Sequence, residues 1–421
     1  MASIMLQQIL QGIGTGLVVV CLPVLAWQLV LALRGVFPML RQTIQEDKTH
    51  RFAVLICARN EEAVIGNLID SLHAQAYPQD CFSVFVIADN CTDGTAQAAR
   101  AHGALVYERF NQREVGKGFA LHWAFEQLRT DYPGRYDAAA IFDADNLVDP
   151  HFLEKANEAL CAGADIVQGY RDTKNVADST VSSCYAIYWL MLTRFYHRAR
   201  YNWGLPCQVG GTGFAFKMDC VADGWNTHTI AEDSEFSIHQ ICEGKKIVPV
   251  YDAVFYDEQP TTWSTSFRQR YRWVVGSVQA IRYEFGHICR SIPKVGMAAV
   301  DALMYQLAIF AIVLMMISGF FSGAALIVSP PMDTLAFQWG VIWMSISLIG
   351  GFLGMSLVAL VTVLLERKPL KLYWKGIVAF PIFLFPMAYL LLLAFFRPKA
   401  QWKPIAHTDS KTISDMSQSE N

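Results

Sequence analysis

Asp143 and Asp145 stand one residue apart at the end of an apolar run, Ala138 to Phe142. On extended backbone alternate residues point to the same side, so both carboxylates face one way. A hard divalent cation takes oxygen ligands and keeps phosphate oxygens and waters for the rest of its shell. The pair therefore suits a metal-bridged diphosphate. The same spacing also occurs in a solvated turn after a strand, and the motif alone does not separate the two readings.

The elements that must position these carboxylates can be read from the surrounding pattern. Phe52 to Cys57, Phe82 to Ile87, Ala104 to Tyr107 and Ala138 to Phe142 are short apolar runs of buried-strand type. Helical patterns follow them. Ile65, Leu68, Ile69 and Leu72 form one stripe, Thr92 to Thr95 carries N-cap chemistry, Gly116-Lys117-Gly118 opens a helix through Leu128, and Asp149-Pro150 places Pro at a first helical position. Alternating strand and helix predicts an α/β fold, a parallel sheet with helices on both faces. Ligands then bind at the carboxyl ends of the strands. Arg59-Asn60, Asp89-Asn90 and Asp143-Ala144-Asp145 all fall there, and three polar clusters at three strand ends argue for one site.

This block, about residues 48–260, sits between apolar segments. The chain has 421 residues, 53% hydrophobic and only 17% charged, which is apolar for a soluble protein. Met5 to Leu33 carries no charge, Ala302 to Leu365 carries only Asp333 beside Pro330-Pro331, and Gly376 to Phe396 carries none. A bilayer-spanning helix needs about 20 apolar residues. The pattern predicts one span within 1–34 and about three within 298–397, near 302–328, 338–365 and 376–396. No Lys or Arg precedes the first span, whereas Arg34, Arg41, Lys48 and Arg51 follow it, and Glu366 to Lys375 forms a basic loop. The positive-inside rule then puts the soluble block in the cytoplasm of a multi-pass cell-membrane protein. Four full spans would leave Arg397, Lys399 and Lys403 on the wrong side. Pro381 and Pro386 interrupt the last segment, which predicts a kinked or re-entrant course.

The net charge of −3 implies no nucleic-acid partner. Ten cysteines without CxxC or metal-ligand spacing read as reduced, mostly buried thiols. His122, His197 and His239 lack ligand spacing and read as structural or solvated. Residues 398–421 read as a tail, Ser-, Asp- and Gln-rich from Thr408 and partly disordered. The aromatic run Tyr185 to Tyr201 is either an interfacial helix or a buried core helix.

The ordered set of Ala58-Arg59-Asn60-Glu61-Glu62, Ala88 to Thr95, Gly116-Lys117-Gly118, Asp143-Ala144-Asp145, Gly210 to Gly213, Ala231-Glu232-Asp233 and Gln269-Arg270-Tyr271-Arg272-Trp273 resembles the inverting family 2 glycosyltransferases. More narrowly, it is similar to the membrane branch containing cellulose, hyaluronan, chitin and poly-N-acetylglucosamine synthases. The resemblance covers about residues 50–290. It implies a GT-A fold, a UDP-sugar donor (UDP-GlcNAc or UDP-Glc) and Mg2+ or Mn2+. By the same resemblance Arg59, Glu61, Asp89, Lys117, Asp143 and Arg272 bind the nucleotide sugar, Asp89 by accepting from uracil. Asp145, with Asp143, holds the metal. Asp233 is the catalytic base and Glu232 assists it, with Ala231 where the family carries Thr. Gly211, Thr212, Gly213, Gln269 and Trp273 contact the acceptor.

The chemistry of inversion agrees with those roles. A single in-line displacement needs a base within reach of the acceptor hydroxyl and a neutralised leaving diphosphate. Gln269, Arg272 and Trp273 share one helical face. Residues 261–297 also read as interfacial helices, with Arg268, Arg270 and Arg272 meeting lipid head groups. The first functional reading is a synthase extending a β-linked polysaccharide at the membrane, with a homo-oligomer or export partner completing the path. The second is transfer of one sugar to a lipid acceptor, because glucosylceramide synthases share the Gln/Arg-x-x-Arg-Trp motif. The third is a non-catalytic membrane protein that binds nucleotide sugar.

Overall fold

The computed structural model describes residues 2–40, 43–328, 334–397 and 411–419. Arg41, Pro330, Pro331, Asp333, Lys399 and Lys403 lie outside the described residues.

The elements run α1 (Ala2–Leu33), β1 (Phe52–Ala58), α2 (Ile65–His73), β2 (Phe82–Asp89), α3 (Thr95–Ala101), β3 (Leu105–Arg109), α4 (Lys117–Asp131), β4 (Ala138–Asp143), β5 (Leu147–Val148), α5 (Phe152–Cys161) and β6 (Ile166–Thr173). They continue with α6 (Thr180–Met191), α7 (Ala199–Asn202), β7 (Phe214–Lys217), α8 (Glu232–Cys242), β8 (Ile247–Asp257), α9 (Trp263–Val295), α10 (Met297–Val328), α11 (Thr334–Leu365), α12 (Leu370–Leu384), α13 (Pro386–Phe396) and α14 (Ile413–Ser419). Leu192–Arg198 is a π-helical stretch between α6 and α7.

The four strands read from sequence form, with slightly extended ends. β1 pairs in parallel with β2 and β4, and β2 with β3. The apolar runs of β1, β2 and β4 are buried on both faces, which is why they lack alternation, whereas β3 at the sheet edge leaves Leu105 exposed. The other half of the sheet departs from the all-parallel expectation. The full order is β3-β2-β1-β4-β7-β6-β8-β5. β7 runs antiparallel to both β4 and β6, β8 parallel to β6, and β5 antiparallel to β8. β5 has two residues and β7 four, too short for a period to show. β8 contains Pro249 and Asp252, which break the apolar run expected of a strand. The Tyr185–Tyr201 run is a core element: Tyr185, Ile187, Leu190 and Tyr196 are buried.

Among the described residues, four helical segments are long and apolar enough to cross a membrane: Ile4–Val36, Met297–Leu326, Met344–Leu365 and Leu370–Phe396. α1 and α10 meet at a small-residue contact, where Ser318 Oγ donates to the Gly14 carbonyl at 2.8 Å and a Cβ at Gly14 would lie 2.8 Å from Ser322 Oγ. The same pair is fastened to the soluble body by buried Asp301, which accepts from Trp27 Nε1 and Arg200 Nε, both at 2.8 Å.

The last apolar segment is divided into two helices, α12 and α13. α12 continues through Pro381 and the interruption falls at Phe385, before Pro386. α12 runs along α6, with Ser183 and Cys184 against Tyr373 and Gly376. α13 runs along α9, where Tyr271 Oη donates to the Arg397 carbonyl at 2.5 Å. At its start Lys368 bonds Asp172 and Arg194 bonds Glu366 at 2.5 Å. Both ends are therefore held against the soluble body.

Residues 261–297, read from sequence as interfacial helices, are helical over Trp263–Val295. α9 is one 33-residue helix. Its Trp263 and Arg268 are exposed, but Arg270 is only 2% exposed, donates to the Phe383 carbonyl and lies 4.2 Å from the centre of the Phe383 ring. Packing of α12 beneath α9, invisible in the local charge pattern, takes Arg270 away from any head group. Within the tail, residues 413–419 form α14, and Met416 packs on Leu147 and Tyr256.

Candidate active site

The carboxyl ends of β1, β2 and β4 open into a cleft of about 900 Å³ that continues to α8, α9 and the first turns of α10. Arg59, Glu61, Asp89, Lys117, Asp143, Asp145, Glu232, Asp233, Gln269, Arg272 and Trp273 all line it. Residues separated by more than 200 positions thus share one cavity.

On the strand-end side the turns are fixed by side chains. Asn60 sits at φ 59° and its Oδ1 accepts from Thr92 N at 2.8 Å, while Glu61 N donates to Thr95 Oγ1 at 2.8 Å. This holds Arg59 and Glu61 at the cleft. Asp89 closes β2 with its Oδ1 accepting from Arg109 at 2.7 Å and Asn90 at 3.0 Å. Arg109 and Asp89 are both buried, so the pair is rigid and desolvated.

Lys117, at the start of α4, donates to Asp143 and, at 2.7 Å, to the Gly211 carbonyl. Burial opposes its charge, yet Asp143 and Glu232 together hold it well above the ordinary lysine range. Asp143 N donates to Thr212 Oγ1 at 2.8 Å. The loop beyond is tied to β8: Asn146 Nδ2 donates to Asp257 Oδ1 at 2.9 Å and Thr212 Oγ1 donates to Asn146 Oδ1. Asp145 is thereby placed at the cleft, 6% exposed.

The opposite wall is the first turn of α8. Glu235, 1% exposed, accepts from His228 N and Thr229 N at 2.9 and 2.7 Å and pins the preceding loop. Glu232 and Asp233 then face the cleft together. Burial raises the Asp233 carboxyl above its usual range, against the pull of Ser234 N–H, Lys117 and Arg171. Burial, then the neighbouring Asp233 charge, also raises Glu232. Two carboxylates so close cannot both ionise freely.

Gly210 lines the cleft, but Gly211, Thr212 and Gly213 lie behind it. Thr212 is 1% exposed and braces the Asp143 loop. Gly213, at φ 62°, sits where a Cβ would come 2.1 Å from Phe255. Gly211, at φ 83°, allows the approach of Asp233, whose Oδ2 would lie 3.1 Å from a Cβ there. The three position other groups instead of presenting a surface. On α9 the Trp273 ring lies between Tyr188, stacked at 6.0 Å, and the edges of Tyr185 and Trp189 at 5.8 and 5.5 Å. Trp273 is both cleft wall and part of an aromatic cluster.

Several cleft residues have no signal in the sequence. Arg171 lies 3.7 Å from the Trp189 ring centre, donates to Asp257 Oδ2 at 3.2 Å and donates to the Gly210 carbonyl. Gln259 Nε2 donates to the same Asp257 oxygen at 2.8 Å. Parallel pairing of β6 with β8 brings them together. His197 also lines the cleft, and burial lowers its pKa to about 3, so it is neutral. Burial pushes the Cys57 thiol up to about 12, which leaves no thiolate nucleophile at the strand ends. Lys411 reaches the cleft from the tail and donates to the Lys174 carbonyl at 3.0 Å.

Residues 50–276 match the family described as "Glycosyltransferase like family 2". That is more than half of the chain, and the chain belongs to this family of glycosyltransferases. It is similar to the probable glycosyltransferase YdaM of Bacillus subtilis (strain 168), 26% identical over 252 residues, covering 57% of this chain and 58% of that protein. It is also similar to the beta-monoglucosyldiacylglycerol synthase of Synechocystis, 28% identical over 253 residues, covering 56% and 50%. The chain thus spans about half the length of these relatives. Among solved structures, the mannosyltransferase PcManGT from Pyrobaculum calidifontis, in complex with GDP-Man and Mn2+, superposes with a TM-score of 0.57 at 17% identity, over 88% of this chain and 99% of that one. This likeness establishes the GT-A fold.

Proposed function

We propose that the chain transfers a hexose, with inversion, from a UDP-sugar to an acceptor hydroxyl held where the cleft meets the membrane helices. The observation that carries this is one cavity in which the Asp143–Asp145 end and the Asp233 end face each other, with Tyr305 and Gln306 of α10 in its lining. A donor held at the strand ends has its reacting carbon directed toward α8. A substrate delivered from the bilayer reaches the same cavity along α9 and α10.

The donor set at Asp143 and Asp145 is carboxylate oxygen, with no thiolate or imidazole ligating beside it, and fits Mg2+ or Mn2+. Bound there, the cation would neutralise a leaving diphosphate. Lys117, fully charged, and Arg272 add to that neutralisation. Asp233 accepts the acceptor proton, and its raised pKa brings its basicity closer to neutral pH. Glu232 shares the local charge with it. Asp89, braced by Arg109, accepts from the base imino group, and Arg59 and Glu61 flank the nucleotide. Trp273 and Gln269 form the acceptor wall.

A lipid-borne acceptor fits best, because α9 and α10 form the acceptor wall and the soluble block faces the cytoplasm. The beta-monoglucosyldiacylglycerol synthase relative bears a matching name. The polysaccharide reading rests on the Gln-x-x-Arg-Trp motif and on the name of an Arabidopsis relative, glucomannan 4-beta-mannosyltransferase 7, 26% identical over 197 residues. Incubating the protein in bilayers with labelled UDP-sugars and extracting the product decides the matter. A single organic-soluble adduct supports the lipid acceptor, a high polymer replaces it with the synthase, and turnover of no nucleotide sugar overturns the proposal.

A further inference from the structure

Away from the cleft, a second group of metal-binding side chains joins α8 to α9. His239, Glu284 and His287 each offer one ligand atom, and these atoms lie within 4.8 Å of one another. Glu243 caps α8 four residues after His239, and Glu284 and His287 are three apart on α9, so each pair occupies one helical face. The two faces meet over the buried contacts of Ile238 and Cys242 with Ala280 and Ile288. Linear spacing around His239 could not show this, because its partners are about 45 residues downstream.

We infer that this cluster is a transition-metal site, fit for Zn2+, which clamps the helix bearing Asp233 to the helix bearing Arg272 and Trp273. Two imidazoles and a carboxylate form a donor set that borderline cations prefer over Mg2+. The distances fit. His287 Nδ1 is 2.9 Å from Glu284 Oε2. Two ligands about 2.0 Å from a tetrahedral ion stand roughly 3.3 Å apart, so the pair needs to open by only a few tenths of an ångström. Glu284 is 4% exposed, so its position is fixed by packing. His287 Nε2 lies 3.3 Å from Glu243 Oε1, and Lys294 Nζ donates to the other Glu243 oxygen at 3.1 Å. A carboxylate on the far nitrogen is the usual means of orienting a metal-bound imidazole. The exposed His239 completes the site from α8 and leaves one side open to water. Without an ion the same groups form an ion-pair chain from Lys294 through Glu243 and His287 to Glu284, and the experiment must separate the two.

Co2+ makes a suitable probe because its visible absorption reports coordination. The full chain in detergent, titrated with Co2+, should give intense bands of a four-coordinate nitrogen and oxygen site, displaced by Zn2+. The Asp143–Asp145 oxygens would give only the weak spectrum of a six-coordinate ion. The bands should persist in Asp145→Asn. They should vanish in His239→Ala and in Glu284→Gln, with Zn2+ affinity weakened at least about 100-fold, beyond the loss typical when only a residue hydrogen-bonded to a ligand is changed. Zn2+ should raise Tm in the parent and in Asp145→Asn but not in His239→Ala. His239 is exposed, so His239→Ala keeps the core packing and its folding can be checked by circular dichroism. Absence of an intense Co2+ spectrum in the parent, or its survival in folded His239→Ala, overturns the site.

Discussion

The proposed donor half and the proposed acceptor half of the cleft are built by different means. At the donor end each group sits within a few residues of the strand that holds it: Asp89 ends β2, Asp143 ends β4, and Lys117 opens α4. At the acceptor end the groups depend on contacts between distant segments. Arg171, Asp257 and Gln259 meet through β6 and β8, and Trp273 meets Tyr185, Tyr188 and Trp189 from α6. A nucleoside diphosphate is a constant ligand and suits a fixed strand-end site, whereas the proposed acceptor wall is assembled from α6 and α9. The two halves should therefore fail separately when mutated.

The largest effect is expected at the donor end. Asp145→Asn should lower transfer and donor hydrolysis together by about 1,000-fold or more, the scale of several kcal/mol of lost charge stabilisation. EDTA should do the same to the parent. Full activity in either case removes the metal from the account. Trp273→Ala tests the other half. Transfer should fall about 10- to 100-fold from a misplaced acceptor, while hydrolysis of donor to water stays within about 3-fold. Equal loss of both, with a lowered Tm, would leave Trp273 as a packing residue of the Tyr185 cluster.

These contrasts also explain what could be read in advance. β1 to β4 and their polar ends were legible because continuous apolar runs and capping residues are local signals. The paired carboxylates at 143 and 145 needed no tertiary information. β5 and β7 were too short to carry a period, and Pro249 and Asp252 disguised β8. Gly211, Thr212 and Gly213 were legible as a motif but not as a scaffold, because their work is to admit Asp233 and Phe255 and to brace Asp143. Arg270 was misread as lipid-facing because α12 approaches it from more than 100 residues away.

A smaller effect lies in the pH profile. A base works only when deprotonated. Burial raises the Asp233 pKa, so activity should be lost as pH falls through a value above the ordinary carboxylate figure of about 4. Glu232→Gln removes a like charge from beside it and eases its ionisation. The acid limb of kcat/KM should then move to lower pH, and an unmoved or raised limb would break the coupling. The smallest effect is expected from deleting residues 411–421, which takes Lys411 from the cleft and Met416 from Leu147. The donor KM should rise about 3-fold, the scale of one screened charge. An unchanged KM would show that the tail only rests on the surface.

The central claim is that Asp233 serves the acceptor while Asp143 and Asp145 serve the donor. Calorimetry of UDP with Mn2+ on folded Asp233→Asn, set beside sugar transfer in the same preparation, tests it most directly. The account predicts UDP affinity close to that of the parent and transfer reduced at least about 100-fold. Lost UDP affinity with transfer retained would contradict it.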